Sequence, residues 1–267
     1  MQEFFVTLLS HVVSQLVGIL GIFFVLGYAM SKVQNAIHHI YQRTVGWKGI
    51  LFTAWIGTPI HELSHVIVAK LFRHRIEEVS FFKPNKHTGA LGHVEHSYNK
   101  KSLYQQMGNF FIGAAPLIGG SLIVFLLLKI FFPQGTELIS TFSHIHVSKE
   151  SFFLLQKTLT NVWSTIPFES VSFWIFIFLS FCISSHSAPS AQDRRGMWKG
   201  FGWIIVLLII LNIIPTLLGA TSDGIITHIN RYTGILISFS LYTLSLLLVH
   251  YILVFTLLRI PYFLLKK

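Results

Sequence analysis

Charge is what this chain has least of. Lys, Arg, Asp and Glu make up 11% of its 267 residues, against about 25% in a soluble domain. That scarcity, with 52% hydrophobic residues and a mean hydropathy of +0.64, excludes an ordinary water-soluble globule and points to a polytopic membrane protein. Cysteine occurs once, as Cys182, so no internal disulfide can form; in its apolar run it reads as a small packing residue. The start, Met1-Gln2-Glu3-Phe4, has no basic n-region, which argues against a cleaved signal peptide and for a retained first span. Internal repeats and low-complexity tracts are absent. Acidic residues number 10 against 20 basic ones, and the resulting formal charge of +10 would suggest nucleic acid in a soluble protein. Here the cations fall between apolar runs, where topology and anionic headgroups account for them. No basic stripe interleaved with aromatics is present, so the expected partner is the lipid bilayer and not nucleic acid.

Six runs are long enough to cross about 30 Å of hydrocarbon: Phe4–Ser31, Ile50–Phe72, Gly108–Leu128, Val171–Ser187 with its flanks, Phe201–Ala220 and Gly234–Leu258. The expectation is an all-α polytopic membrane protein of about six transmembrane helices. It forms a single integral membrane domain over 1–267, with a core at about 50–220 between flanking spans at 4–31 and 234–258. The connections Arg73–Gln106, Pro189–Lys199 and Arg259–Lys267 hold twelve Lys and Arg, whereas Lys32–Lys48, Pro133–Pro167 and Thr221–Arg231 hold six. The positive-inside bias places the first set, and both termini, in the cytosol; the expected location is the cytoplasmic membrane of a bacterium. One connection is not membrane-like. Ile76–Phe82 and Ala90–His96 are strand-like runs around Lys83-Pro84-Asn85-Lys86-His87-Thr88-Gly89, which reads as a small β-hairpin.

Among the polar residues the most specific pattern is His61-Glu62-Leu63-Ser64-His65, set between apolar flanks. On a helix the two imidazoles stand at i and i+4, so both face one way and can share a Zn²⁺. The Glu between them is placed to take a proton from a water polarised by that metal. Three ionisable groups on one turn of a membrane helix are expensive, and such groups are usually functional.

Two His do not complete a catalytic zinc site, which takes three protein ligands and an open position. The chain has only two Asp, Asp193 and Asp223. Asp193 lies in a polar stretch between two apolar runs, where two roles compete for it: metal ligand, or capping-box partner of Ser190. His186 competes as third ligand, and either residue can orient the other. His93 and His96, three apart on a strand, point to opposite faces. His38-His39 and His144-x-His146 are expected in exposed loops, His11 and His250 as interhelical hydrogen-bond partners, and Glu95 and Glu169 as plain loop carboxylates.

With an HExxH inside a span, a following hairpin, a Gly/Pro span and a later Asp-bearing turn, the chain resembles the site-2 protease family of intramembrane zinc metalloproteases. The likeness covers about Leu51–Leu218. It starts at Gly57-Thr58-Pro59-Ile60, ahead of the HExxH, and runs through the hairpin, which is similar to the family's membrane-associated β-element. Gly113-Ala114-Ala115-Pro116-Leu117-Ile118-Gly119 looks like the family's Gly-Pro motif, with Gly119 where an Asn is usual. Pro189 to Asp193 is similar to its Pro…Asp-Gly turn, although the Leu-Asp-Gly string is absent. Pro133–Pro167 is too short for a PDZ-like insert.

The resemblance implies a Zn²⁺-dependent endopeptidase acting on membrane-embedded or membrane-proximal proteins and peptides. His61 and His65, with Asp193 or His186, hold the metal, and Glu62 is the general base. Leu91, Gly92, His93 and Val94 on the hairpin edge hold an unwound substrate as an added strand; Pro116 and Gly119 are further substrate contacts. Pro59 frees a carbonyl one turn back and favours a bend. The HExxH helix and the Asp turn then lie toward the cytosol, as the charge bias also has it. A second reading is a non-proteolytic membrane metal protein, a transporter or regulator. No inverted repeat supports a transporter, and Glu62 has no role there. A third is a pseudoprotease that binds membrane helices without cutting. The sequence sets no expectation for oligomeric state.

Overall fold

The computed structural model describes residues 9, 12, 13, 15, 16, 21–132, 167–217 and 223–265. Helices α1 (Ile22–Thr44) and α2 (Trp47–Leu71) are joined by a tight turn at Gly46, whose φ of 76° a residue with a Cβ rarely adopts. Strands β1 (Arg75–Ser80) and β2 (His93–Ser97) come next. They are followed by α3 (Leu103–Phe131), α4 (Val171–Ser184) and α5 (Ala191–Leu217). Helix α6 (Asp223–Val254) continues through a π turn, Phe255–Arg259, into α7 (Ile260–Leu265). His11, His144, His146 and most of Pro133–Pro167 lie outside the described residues.

Helix α2 is inside out by the standards of a soluble protein. On α2, Thr53, Thr58, Glu62, Ser64 and His65 are buried, whereas Phe52, Trp55, Leu63, Ile67 and Leu71 face outward. A helix in water turns its apolar stripe to the core; this one turns its polar stripe inward, as a lipid-facing helix does. Among the described residues three helices are long and apolar enough to cross a membrane: Leu103–Phe131, Ala191–Ile214 and Tyr232–Leu265; Val171–Ser184 is apolar but shorter. The expected six spans thus reduce to three by this measure. Polar residues lower the hydropathy of both helices: on α2 they are buried, whereas on α1 Lys32, Asn35, His39, Gln42 and Arg43 are exposed.

Two expected connections are helical instead. Lys32–Lys48 was expected as a loop, yet α1 runs to Thr44. The stretch has no long apolar run but is amphipathic: Ile37, Ile40 and Tyr41 are buried at helical spacing and pack in a core cluster with Leu247 and Val254. His38 is therefore on a helix, its ring 5.0 Å from that of His186, and not in an exposed loop. Pro189–Lys199 was expected as a cytosolic loop, yet α5 begins at Ala191. Hydropathy locates its apolar part and misses its polar first turns.

The chain also does not reverse there. Phe173 and Phe176 of α4 pack on Phe132, with ring centroids 6.0 and 5.2 Å apart. Ser187 lies on Gly120, Met197 on Gly113 and Gly200 on Phe110, and Trp203 Nε1 donates to Gln106 at 3.0 Å. Thus α4 and α5 run in one direction, antiparallel to α3, with a buried break at 185–190 beside the middle of that helix. Two of the stretches counted in the charge bias are therefore largely helix.

Close approach at two glycines sets this break against its neighbours. A Cβ at Gly57 of α2 would overlap the Cys182 carbonyl and the His186 ring. A Cβ at Gly113 of α3 would overlap the Asp193 carbonyl and the Met197 side chain. Small residues at helix contacts are the usual means of tight packing where lipid removes the hydrophobic drive.

The hairpin leaves α2 through Arg73, at a positive φ of 58°. Its antiparallel register pairs Ile76 with His96, Val79 with Val94 and Ser80 with His93, with an irregularity between Ile76 and Glu78. At the tip the Asn85 side chain accepts from the backbone of His87 and Thr88 at 2.9 and 3.3 Å, and Gly89 has φ 74°. The Pro/Asn/Gly cluster thus makes the turn that its composition predicts.

Candidate metal centre

His61 and His65 stand one turn apart on α2 and face the first turn of α5. Their ligand atoms and those of Asp193 all lie within 4.8 Å of one another. The two Nε2 atoms are 3.2 Å apart. Asp193 Oδ1 is 3.2 Å from His65 Nε2, and its Oδ2 is 3.5 Å from His61 Nε2. All three side chains are at most 14% exposed.

The tautomers follow from their partners. His61 Nδ1 is 2.7 Å from the His186 carbonyl, and His65 Nδ1 is 2.8 Å from the Ile112 carbonyl. A carbonyl only accepts, so each Nδ1 carries its proton and each neutral ring offers a lone pair at Nε2. Two imidazole nitrogens and a carboxylate therefore converge on one spot, where they could hold a metal ion. Four ligands at about 2.0–2.1 Å from a tetrahedral ion stand roughly 3.3–3.4 Å apart; the three separations here are 3.2, 3.2 and 3.5 Å. These separations are compatible with a bound metal ion. The backbone carbonyls behind both imidazoles are the orienting partners that metal-bound His residues require.

Asp193 makes the cap foreseen for it and also stands where it could serve as a metal ligand. Its Oδ2 accepts from Ser190 N at 2.7 Å, and Asp193 N donates to Ser190 Oγ at 3.1 Å, a reciprocal cap at the start of α5. The cap fixes the carboxylate, and the same carboxylate faces both imidazoles. His186 does not compete with it. Its Nε2 pairs with the Thr53 hydroxyl at 3.0 Å, and it serves the centre through its backbone carbonyl.

Glu62 is 6% exposed and lies under the hairpin: a Cβ at Gly92 would overlap Glu62 Cγ and the Ser80 carbonyl. Two adjoining cavities lead outward from here. The inner, about 170 Å³, is lined by Glu62, His65, Gly92 and His93 among others. The outer, about 570 Å³, includes Asp193, Tyr98, Asn109, Arg195 and Lys199. They share Val94, Glu95, His96, Ile112 and Gln192, so β2 forms one wall of both. Among the described residues β2 pairs only with β1.

Of the expected substrate contacts, Gly92, His93 and Val94 line this groove. Leu91 instead packs on the α1–α6 core cluster, Pro116 is buried within α3, and Gly119 lies against Ser64. His93 Nε2 pairs with Glu78 at 3.1 Å, away from His96, as the strand alternation requires.

His96 itself carries a relay that the sequence did not disclose. Its Nδ1 is 3.0 Å from His74 Nδ1, and His74 Nε2 is 2.8 Å from the Gln105 carbonyl. Because His74 Nε2 must donate, neutral His74 accepts at Nδ1, so His96 Nδ1 donates. Tyr98 stacks on His74 at 5.1 Å. Burial pushes His96 down to about 4 and lowers His74 as well, so both are neutral near pH 7. A His on the turn after α2 and another on β2 gave no shared periodicity; only the fold brings them together.

No family model, curated protein or solved structure matches this chain.

Proposed function

We propose that this protein is a membrane zinc peptidase of the site-2 protease kind, hydrolysing peptide bonds in membrane-embedded or membrane-proximal substrates. The observation that carries this reading is the placement of Glu62. A buried carboxylate next in sequence to His61 adjoins two imidazole lone pairs and Asp193, at the closed end of a groove walled by a strand.

Zinc at this centre supplies Lewis acidity, polarising the scissile carbonyl and a water. The chain's own residues do the rest. His61 and His65 are held in the tautomer that leaves Nε2 free, and the Ser190 cap holds Asp193 toward them. Glu62 takes the proton of the attacking water and returns it to the leaving amine nitrogen. A helical substrate hides its amides in internal hydrogen bonds, so it must unwind; the unpaired edge of β2 offers main-chain partners to the extended segment. Gly92 keeps the wall of the groove against Glu62.

In this reading α1 and α2 cross the membrane with the three long apolar helices, and α4, which leads into α5 in the same direction, adds no crossing of its own, so the expected six spans become five. The hairpin end of the bundle faces the cytosol. The six Lys and Arg of Arg73–Gln106 support that orientation.

Glu62→Gln tests the reading, because it keeps the side-chain shape and removes the base. Wild type and variant are each reconstituted in liposomes, assayed for zinc content and offered a panel of single-span peptides. The expected result is one Zn²⁺ per chain in both proteins, with cleavage reduced about 10²–10⁴-fold or more in the variant. Near wild-type cleavage by the variant overturns the mechanism. A wild-type protein that holds zinc and binds peptides but never cuts them is a pseudoprotease.

A further inference from the structure

The outer half of the groove holds two cations that make no ion pair, beside the carboxylates of Asp193 and Glu95. Arg195 and Lys199 stand four residues apart on α5, hence on one face, and both line the outer cavity. Neither is in an ion pair; those among the described residues are His61 and His65 with Asp193, Arg75 with Glu77, and His93 with Glu78. Arg195 makes one hydrogen bond, Nε to the Ala191 carbonyl at 3.3 Å, which leaves the outer nitrogens of its guanidinium free. Its neighbour Arg194 shows the contrast. Arg194 Nη1 donates to the Pro189 carbonyl at 2.7 Å and to Ser31 at 3.3 Å, so that cation is committed to holding the break before α5.

The other polar groups of this wall add no further positive charge. His96 is kept neutral by burial, and Tyr98, Asn109 and Gln192 are uncharged. Glu95 shares the wall but lies beyond ion-pair distance of either cation. A cation that serves topology needs only water around it. Two that line a cavity ending at Asp193 offer paired donors to an anion brought in by the substrate.

Resting on the peptidase reading above, we propose that Arg195 and Lys199 form a carboxylate-recognition site in the substrate groove. It selects peptides with Asp, Glu or a free C-terminal carboxylate close to the scissile bond. The spacing sets how close. From Asp193 to Lys199 the helix rises about 9 Å, and an extended strand covers that in about three residues.

The test uses the full-length Glu62→Gln protein in phosphatidylcholine nanodiscs, which binds without turnover. The probes are labelled peptides identical except at one position, scanned with Asp, Asn or Lys, each with an amidated or a free C-terminus. With Asp within about three residues of the bond that wild type cuts, affinity is expected to rise at least tenfold over Asn. The gain should vanish in Arg195→Gln/Lys199→Gln, and the Lys peptide should bind best to Arg195→Glu/Lys199→Glu. Comparing Asp in an amidated peptide with a free C-terminus separates a side-chain from a terminal carboxylate. Both residues are exposed, so unchanged zinc content and Tm verify that the variants are folded.

Equal affinity for Asp, Asn and Lys peptides, or no peptide binding at all, overturns the proposal. So does a preference that appears only as competition from added phosphatidylglycerol, which makes the pair a headgroup site. The two readings fail separately. Wild type that cuts the panel without charge preference removes the carboxylate site and leaves the peptidase. A charge preference in binding with no cleavage by wild type removes the peptidase and leaves the site.

Discussion

Two histidine clusters are buried back to back in this bundle, and they differ in what their nitrogens face. On one side of α2, His61 and His65 have each committed Nδ1 to a carbonyl and aim Nε2 at a shared point with Asp193. In a second, rear cluster, His250 has both nitrogens engaged, Nε2 with the Tyr41 hydroxyl at 2.9 Å and Nδ1 with Ser185 Oγ at 2.7 Å, and its ring stacks on Phe181 at 4.6 Å. His186 lies between them: its ring bonds Thr53, and its carbonyl orients His61. The residue type and the depth are shared. Convergent, unspent lone pairs beside a carboxylate could hold a metal ion; paired nitrogens make a helix joint.

The sharpest way to break this comparison is to remove one group from each side and measure zinc. His61→Ala, His65→Ala and Asp193→Ala each delete a ligand atom and are expected to abolish stoichiometric zinc. His186→Ala deletes a ring but keeps the carbonyl that His61 uses. It should retain one zinc per chain, with affinity weakened at most about 10–100-fold, the scale for a group that only orients a ligand. Zinc loss in His186→Ala equal to that in Asp193→Ala would erase the distinction between the two clusters.

Next in size is the stability of the rear cluster. His250→Ala leaves the Tyr41 and Ser185 hydroxyls buried without their partner and opens a void beside Phe181. Such losses cost about 2–4 kcal/mol together, enough to lower Tm clearly while zinc content stays at wild type. A His250→Ala variant that melts normally but loses zinc would mean that the rear cluster belongs to the metal centre.

The two clusters were not equally legible in the sequence. His61 and His65 were, because a helix translates an interval of four directly into proximity. Asp193 was half legible. Ser190-x-x-Asp193 announces a cap, and the capped carboxylate faces both imidazoles, where it could serve as a metal ligand. The contribution of His186 had no signal, since it acts through a backbone carbonyl that any residue possesses. The small β-hairpin was readable from its turn residues and alternation. The inner faces of α1 and α2, and the unreversed path through 185–190, were not. Hydropathy detects apolar length, whereas these segments carry polar residues that are paid for by partners distant in sequence, such as Tyr41 with His250. The groove follows the same rule. Gly92, His93 and Val94 were found as a strand edge, but Arg195 and Lys199 enter it only because α5 starts nearly three turns earlier than its apolar run.

The smallest expected effect concerns the wall of the groove and sharpens the comparison by adding a third kind of histidine. His74 and His96 are paired with each other outside both clusters, and burial holds both below the ordinary His value, His96 at about 4. Their sign is opposite to that of a His stabilised by a carboxylate. Between about pH 6.5 and 4 the unfolded chain binds protons that the folded pair refuses, so stability falls as pH drops through that window and is fully present above it. With wild type showing a modest decline in Tm from pH 7 to 4.5, His96→Asn should flatten part of that decline, because Asn does not titrate. A metal held by His61, His65 and Asp193 would be lost on acidification, so the measurement is made on Asp193→Ala, where that contribution is expected to be absent. If the slope between pH 6.5 and 4 is the same with and without His96, the imidazole on β2 titrates normally, and the relay through His74 does not hold it neutral.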